Sequence, residues 1–274
     1  MNFVIAIASH KRPEIIQSKT LNLLKKHKMS MKNVFVFVSP ESYEEYIPIK
    51  NKWKFNLVGG DNTTILKARN NIIKYFDEGQ NILEMDDDVA QIEITLKGVK
   101  NKPVKDLKEL FNESFQIIHQ GGLFGFNANT NNFFAGNKDK FGLYSIINSC
   151  LGYKNDKRIK LTVPEKEDFQ RVIQFYELNL PILKRTGYGI NTNYWKNKGG
   201  IQGHYDFKKR IEVQRESAEQ LLLLYPYAFR KQLRKNGIVD LRFKRDPLQR
   251  YKDLQKIVDS INIEDLKKKF DLEK

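Results

Sequence analysis

The sequence predicts an α/β fold: a mostly parallel central sheet, helices on its faces, and a helical, basic C-terminal extension. Three observations predict it. Short continuous apolar runs recur at Phe3–Ala8, Asn33–Val38, Phe55–Val58 and Asn81–Met85, as for strands buried on both faces. Segments with helical apolar spacing separate them, giving the order βαβαβαβ and hence a parallel sheet covered by helices. The fourth run ends in Asp86-Asp87-Asp88, where such sheets place their ligands.

The elements follow in order. After the first strand, Ser9-His10-Lys11-Arg12 forms a polar, basic loop, and Pro13 opens a helix at its first turn. Ile15, Ile16, Leu21, Leu23 and Leu24 give that helix an apolar face up to about Met29. The second strand closes at Ser39-Pro40, and Glu41–Tyr46 suggests a short helix. Gly59-Gly60 ends the third strand, and Asp61-Asn62-Thr63-Thr64 is a helix-start signal. Ile65, Ala68, Ile72, Ile73 and Phe76 keep helical spacing until Gly79 stops the helix. The loops at 9–12, 59–61 and 86–88 therefore surround one crevice.

The second half is less regular. Val104–His119 and the segment after Pro164-Glu165-Lys166-Glu167-Asp168 read as helices. Leu123–Asn127, Tyr144–Tyr153 and Pro181–Arg185 read as strands, and Asn129–Gly142 as a loop. Asn197–His204 is a Gly-rich loop, and the pattern from Lys208 onward is helical.

Composition narrows the function classes. With 274 residues, 40% hydrophobic and 12% aromatic, the chain can bury a full core. No segment reaches the length needed to cross a bilayer. The lone cysteine, Cys150, excludes an internal disulfide, and the N-terminus reads as a first strand rather than a leader. A cytoplasmic protein is expected. Lys and Arg number 48 against 33 acids, a net charge of +15. That excess favours a polyanionic partner, although Lys-rich composition also follows from an AT-rich genome. Residues 230–252 hold nine Lys or Arg and two Asp, interleaved with Phe243 and Tyr251: a solvated face or a strip against nucleic-acid phosphates.

Three adjacent carboxylates repel unless positive charge sits among them. Hard oxygen ligands suit Mg²⁺ or Mn²⁺, particularly with phosphate oxygens completing the shell. The alternative is a solvated acidic turn. Lys11 and Arg12 sit where phosphate or base contact is natural, and Arg69 can pair with phosphate or orient the Asp cluster.

In the order Ile7-Ala8-Ser9-His10-Lys11-Arg12-Pro13, Asp61 with Ala68-Arg69-Asn70, Glu84-Met85-Asp86-Asp87-Asp88, Glu167-Asp168 and Gly199-Gly200-Ile201-Gln202-Gly203-His204, residues 3–205 resemble nucleotide-sugar glycosyltransferases of the GT-A (Rossmann-like) fold. The resemblance implies a domain over 1–206, with a nucleotide-sugar half at 1–90 and an acceptor half at 91–206, followed by the extension at 207–274. It implies a nucleotide site from Ser9, His10, Lys11, Arg12, Asp61, Arg69, Asn70, Asp86 and Asp87. It implies a metal shell of Asp86, Asp88 and His204, with Asp88 the direct ligand and His204 otherwise a surface histidine. Asp86 would contact ribose or reach the metal through water, and Asp87 would hold the donor sugar or a neighbouring strand. Asp168, with Glu167 in reserve, would be the general base of an inverting transfer; an acid at that position is also favoured by the helix dipole alone. Phe133, Phe134 and Trp195 could line the sugar or acceptor site, with core packing the expected role of Phe133 and Phe134.

The compact layout, the triple Asp and the basic tail also resemble the base glucosyltransferases that accompany TET/JBP-type oxygenases in phages and protists. This implies glucose transfer from UDP-glucose to hydroxymethylated pyrimidines in DNA, with Lys208, Lys209, Arg210, Arg230, Lys231, Arg234 and Arg245 as phosphate contacts. The competing expectations are a surface-polysaccharide or lipopolysaccharide glycosyltransferase, and a non-catalytic nucleic-acid-binding protein with a degenerate transferase fold.

Overall fold

The computed structural model describes residues 2–136, 138–192, 207–234 and 239–244. Four parallel strands lead, with their helices: β1 (Val4–Ala8), α1 (Pro13–Ile16), α2 (Asn22–Lys26), β2 (Val34–Phe37), α3 (Tyr43–Trp53), β3 (Asn56–Val58), α4 (Ile65–Tyr75) and β4 (Asn81–Asp86). The second half adds β5 (Gln91–Ile94), β6 (Lys102–Pro103), α5 (Leu107–Ile117), β7 (Leu123–Asn127), β8 (Lys140–Phe141), β9 (Cys150–Lys154), α6 (Glu167–Glu177) and β10 (Ile182–Asn191). The chain continues with α7 (Phe207–Leu224), β11 (Phe229–Leu233) and β12 (Val239–Phe243).

The main sheet runs β3-β2-β1-β4-β9-β7-β10-β5-β6, with β8 paired to β10. From β3 to β4 it is parallel; β9 is antiparallel to both β4 and β7, and β10 returns parallel to β7. The chain builds β1, β2 and β3 outward, then jumps back to place β4 on the other side of β1. That reversal opens a crevice at the carboxyl ends of β1 and β4. In register, Ala8 lies beside Asp86, so the 9–12 loop and the Asp cluster leave the sheet side by side.

Ile5, Ile7, Val34, Val36, Ile82, Leu83 and Met85 are fully buried, as continuous apolar strands require. Thr64 caps α4 by accepting from the Lys67 N–H at 3.3 Å, and Asp106 caps α5 through Glu109 at 2.9 Å. The helix after Pro13 contains a π-turn, Gln17–Leu21, between α1 and α2. Its extra residue brings Thr20 inward: the hydroxyl donates to the Asp86 carbonyl at 2.7 Å and accepts from the Val89 N–H at 3.0 Å. The turn that carries the three carboxylates is thereby fastened to a helix.

Several elements differ from the sequence reading. The expected short helix at 41–46 is α3, which runs to Trp53 through Pro48. The strand expected over 144–153 is confined to Cys150–Lys154, because Asn148 and Ser149 are turned inward as buried polar residues. β5 is an unpredicted strand, pairing with β10 beyond a bulge between Arg185 and Gly189. At Gly189 any Cβ would stand 2.4 Å from the Asn129 carbonyl oxygen, so the loop crosses there only because a side chain is absent. The C-terminal extension begins as a helix in α7 and then forms the antiparallel β11–β12 hairpin. The reason is period-two alternation: Val239, Leu241 and Phe243 face inward, and Phe243 stacks on Phe169 with ring centroids 5.3 Å apart.

Candidate active site

The floor of the crevice is a set of carboxylates with unequal surroundings. Asp87 turns into the fold. Ser9 Oγ donates to its Oδ2 at 2.6 Å, and Arg12 Nη1 donates to Oδ1 at 3.1 Å. Tyr46 Oη lies 2.7 Å from Ser9 Oγ and accepts from the Arg12 N–H at 3.2 Å. Asp87 is thus the anchor that holds the 9–12 loop against β4, and Ser9 and Arg12 are its clasps. His10 Nδ1 lies 3.1 Å from Ser39 Oγ, while exposed Lys11 lies 3.5 Å from Glu41.

Asp86 and Asp88 are both partly accessible at the crevice. Arg69 Nη2 contacts Asp86 Oδ1 at 2.5 Å, while 35% of the Asp86 side chain remains exposed. Burial pushes its carboxyl up to about 6; Arg69 opposes that rise, and the neighbouring Asp88 and Asp87 charges add to it.

Beneath Asp86 lies a buried ion network. Arg69 Nη1 is 2.7 Å from Glu84 Oε1, Arg171 Nη1 is 3.0 Å from Glu84 Oε2, and Tyr153 Oη donates to Oε2 at 2.8 Å. Arg69, Glu84 and Arg171 are each no more than 1% exposed. Burial penalises the Glu84 charge, but Arg171 and Arg69 outweigh it and hold its carboxyl below the usual range. Two arginines on one carboxylate leave positive charge over, and Asp86 receives it. The network was not read from the sequence, yet a signal existed: Glu84 is a lone acid inside the buried run Ile82-Leu83-Glu84-Met85, which demands buried cations.

Arg171 belongs to α6, whose first turn carries Glu167 and Asp168. Glu167 lies one turn before Arg171 on the same helical face. It is 8% exposed, and its Oε1 accepts from Asn148 Nδ2 at 2.9 Å. Asp168 is more accessible, and its Oδ1 accepts from the Phe169 N–H at 2.9 Å. Burial raises both carboxyls; Asp168 adds to the rise at Glu167, while Arg69 restrains it.

The other expected contacts stand as follows. Asn70 pairs with the Leu161 backbone, donating to its carbonyl at 2.9 Å and accepting from its N–H at 3.0 Å. It is therefore a clamp on the chain leading to α6 rather than an amide open to a nucleotide. Asp61 is exposed and bound to its own helix start through Thr63 and Lys67 at 2.9 Å and 3.1 Å. Phe133 is 82% exposed, so it does not pack in the core. Trp195, His204 and Arg245 lie outside the described residues.

Among the described residues no three His, Cys, Asp or Glu converge in metal-ligating geometry. The donor set nonetheless suits a hard divalent ion of the Mg²⁺ type, which takes one or two carboxylates and completes its shell with water and phosphate oxygens. Crowding of Asp86 by Asp88 and Asp87 is the charge imbalance such an ion relieves.

No family model and no curated protein matches the chain in sequence. Solved structures share its outline. The chain is similar to S. aureus TarS, at 13% identity and TM-score 0.49 over 81% of this chain. A mannosyltransferase from Pyrobaculum calidifontis, in complex with GDP-Man and Mn²⁺, aligns at 9% identity and TM-score 0.44 over 68% of this chain. The 4-diphosphocytidyl-2C-methyl-D-erythritol synthase of Anaerococcus prevotii aligns at 12% and TM-score 0.42 over 80% of this chain and 99% of its own. The chain spans 40% of the TarS chain and 56% of the mannosyltransferase chain. At these values the likeness bears on outline alone, and the functional reading comes from the site residues.

Proposed function

We propose that the protein is a nucleotide-sugar-dependent glycosyltransferase that uses a divalent cation, Mn²⁺ or Mg²⁺. One observation carries the reading: Asp86 and Asp88 stand at the β1/β4 switch point, and a buried Asp86–Arg69–Glu84–Arg171 chain of charge joins them to the helix bearing Glu167 and Asp168. This chain of charge supports a diphosphate site and a proton acceptor that serve one crevice. Asp86 and Asp88 would hold the cation, which when bound neutralises charge on the departing diphosphate. His204 is a third ligand carried from the sequence resemblance.

The residues of the chain supply the rest. Arg69 orients Asp86, and Asp87 with Ser9 and Arg12 shapes the loop that borders the nucleotide. Asp168, the more accessible of the pair, takes the acceptor hydroxyl proton as the acceptor oxygen bonds to the anomeric carbon. The bond from that carbon to the diphosphate oxygen breaks, and configuration inverts. Glu167, held by Asn148, positions the base.

We assign UDP-glucose as donor on the sequence resemblance, and hydroxymethylated pyrimidine DNA as acceptor on the net charge of +15 and the basic extension. A surface-glycan acceptor is the second reading, favoured by how the extension uses its cations. Arg210 pairs with Glu165, Lys231 with Glu219, and Arg234 with Asp240, at 3.1, 3.3 and 2.5 Å. Incubation with a panel of nucleotide sugars, Mn²⁺ and hydroxymethylated DNA, followed by nucleoside mass analysis, separates the readings. A hexose adduct on the modified base establishes the DNA acceptor. Donor binding or hydrolysis without an adduct moves the acceptor to a glycan. No Mn²⁺-dependent donor binding at all overturns the transferase.

A further inference from the structure

The helix that carries the candidate base is gripped from outside the crevice. Glu165, two residues before α6, is buried, and three side chains of α7 converge on it. Arg210 Nε donates to its Oε1 at 3.1 Å, Gln214 Nε2 donates to Oε2 at 3.3 Å, and Ser217 Oγ accepts from its N–H at 3.3 Å. Positions 210, 214 and 217 follow helical spacing, so one face of α7 makes all three contacts. Arg210 and Glu165 are 13% and 8% exposed in their side chains, well removed from solvent screening.

Between Glu165 and Glu167 the chain passes through Lys166 at φ 62° and ψ 24°. That left-handed conformation is disfavoured for a residue with a Cβ, so the surroundings must hold it. They do so on both sides. Glu165 is held by α7, and Phe169, just past Asp168, packs on Phe229 and Phe243 of the hairpin with centroids 6.1 and 5.3 Å away. The C-terminal unit thus brackets the Glu167–Asp168 pair.

We propose that α7 is a positioning clamp for the base: the Arg210–Glu165 pair fixes the strained turn that aims Asp168, and Arg210 keeps the Glu165 charge from adding to those of Glu167 and Asp168. Arg210, Glu165, Gln214 and Ser217 are positioning residues, not catalytic ones. The inference rests on Asp168 being the base of the proposed transfer. The charged groups that face the pair are Arg69 from α4, Glu165 and Lys166 from the preceding turn, and Arg210 from α7 through Glu165. Glu165 acts on both carboxyls in the direction that disfavours their ionisation.

The clamp makes opposite predictions for its two halves. In Arg210→Gln the Glu165 charge is uncompensated, and the Asp168 titration moves to higher pH. In Glu165→Gln the charge is gone, and the titration moves lower. Each shift is expected at about half a unit or more, since Glu165 already acts on both carboxyls and such charges interact strongly at the dielectric of a half-buried site. The measurement is carbon-13 NMR of the side-chain carboxyls in the full chain, with the Asp168 and Glu167 signals assigned by their Asn and Gln variants. Transfer against pH is followed in parallel, and kcat of Arg210→Gln should fall about threefold at pH 6 and recover by pH 8, with KM for the donor unchanged. The double variant Glu165→Gln/Arg210→Gln keeps a neutral hydrogen-bonding pair. It should titrate near wild type, and it serves where either single change unfolds the chain. Shifts of the same sign in the two single variants, or folded variants with no shift, overturn the clamp, as does a displaced titration in the double variant. The NMR arm needs no turnover, so a chain without Mn²⁺-dependent donor binding would refute the transferase reading while the clamp was still decided.

Discussion

The two walls of the crevice hold their acids in opposite ways. On the sheet wall three of the acids are paired with cations inside the fold: Glu84 has Arg69 and Arg171, Asp87 has Arg12, and Asp86 shares Arg69 with Glu84. On the α6 wall Glu165, Glu167 and Asp168 crowd together, with Arg210 on the outermost and the buried Arg69 acting on Glu167. The sheet wall holds its carboxylates still: Arg171 and Arg69 keep Glu84 ionised, while burial raises the Asp86 and Asp87 carboxyls and leaves Asp86 to be ionised by a bound cation. On the helix wall the acids oppose one another's ionisation as well as being opposed by burial, which suits a proton acceptor working near neutrality. A single fold separates the two tasks by where it spends its arginines.

The largest expected effect comes from breaking the sheet wall. Arg171→Met removes one of the two cations on fully buried Glu84. We expect a loss of about 3–5 kcal/mol, read from urea unfolding of the purified chain. Unchanged stability would show that Glu84 is neutral in the fold and that the network is not what holds the wall.

A next step down in effect is chemical. Asp168→Asn should reduce transfer by about 10²–10⁴-fold, the usual worth of a general base, while leaving nucleotide-sugar affinity near wild type. Calorimetric titration of the donor checks it, and lost donor affinity would move Asp168 from the base to the binding site.

A third test probes the sheet wall by pH. The Asp86 carboxyl is raised to about 6 in the fold, above its unfolded value. Its ionisation therefore costs the metal-free protein stability as pH rises through about 4 to 6. Bound Mn²⁺ requires the ionised form, so the rise in Tm on adding Mn²⁺ should be large at pH 7.5 and fade as pH falls through about 6. A Tm increment independent of pH would remove Asp86 from the cation site.

The smallest effect is expected at the hinge between helix and floor. Thr20→Val keeps shape but leaves the Val89 N–H without its acceptor. We expect about 1–3 kcal/mol of lost stability, with weaker Mn²⁺ protection than in wild type. Full protection at reduced stability would mean that the turn of Asp88 is held by other contacts.

The first half of the chain was legible because its physics is local. Apolar runs of strand length, Pro13, the Thr64 cap and helical spacing each act within a few residues, and together they imply the order βαβαβαβ and a parallel sheet; the reversal at β1 and β4 came only with the strand order. The second half obeys no single period. β9 runs antiparallel between two strands distant in sequence, and β10 changes register at a bulge, so its pairings depend on loops that the pattern does not encode. The extension misled for a related reason: its basic residues mask the period-two apolar set that packs the hairpin onto α6.

The sequence by itself determined which acids gather at the crevice, since the βα alternation and the strand-end rule place Asp86–Asp88 and the 9–12 loop together. Only the tertiary structure decided what each acid does. Asp87 became an anchor, Asn70 a clamp, and Glu84 the hub of a network with Arg171, a residue 87 positions away. Charge pairing in a low-dielectric interior depends on distance and burial, and neither is set until strands and helices from separate parts of the chain have packed.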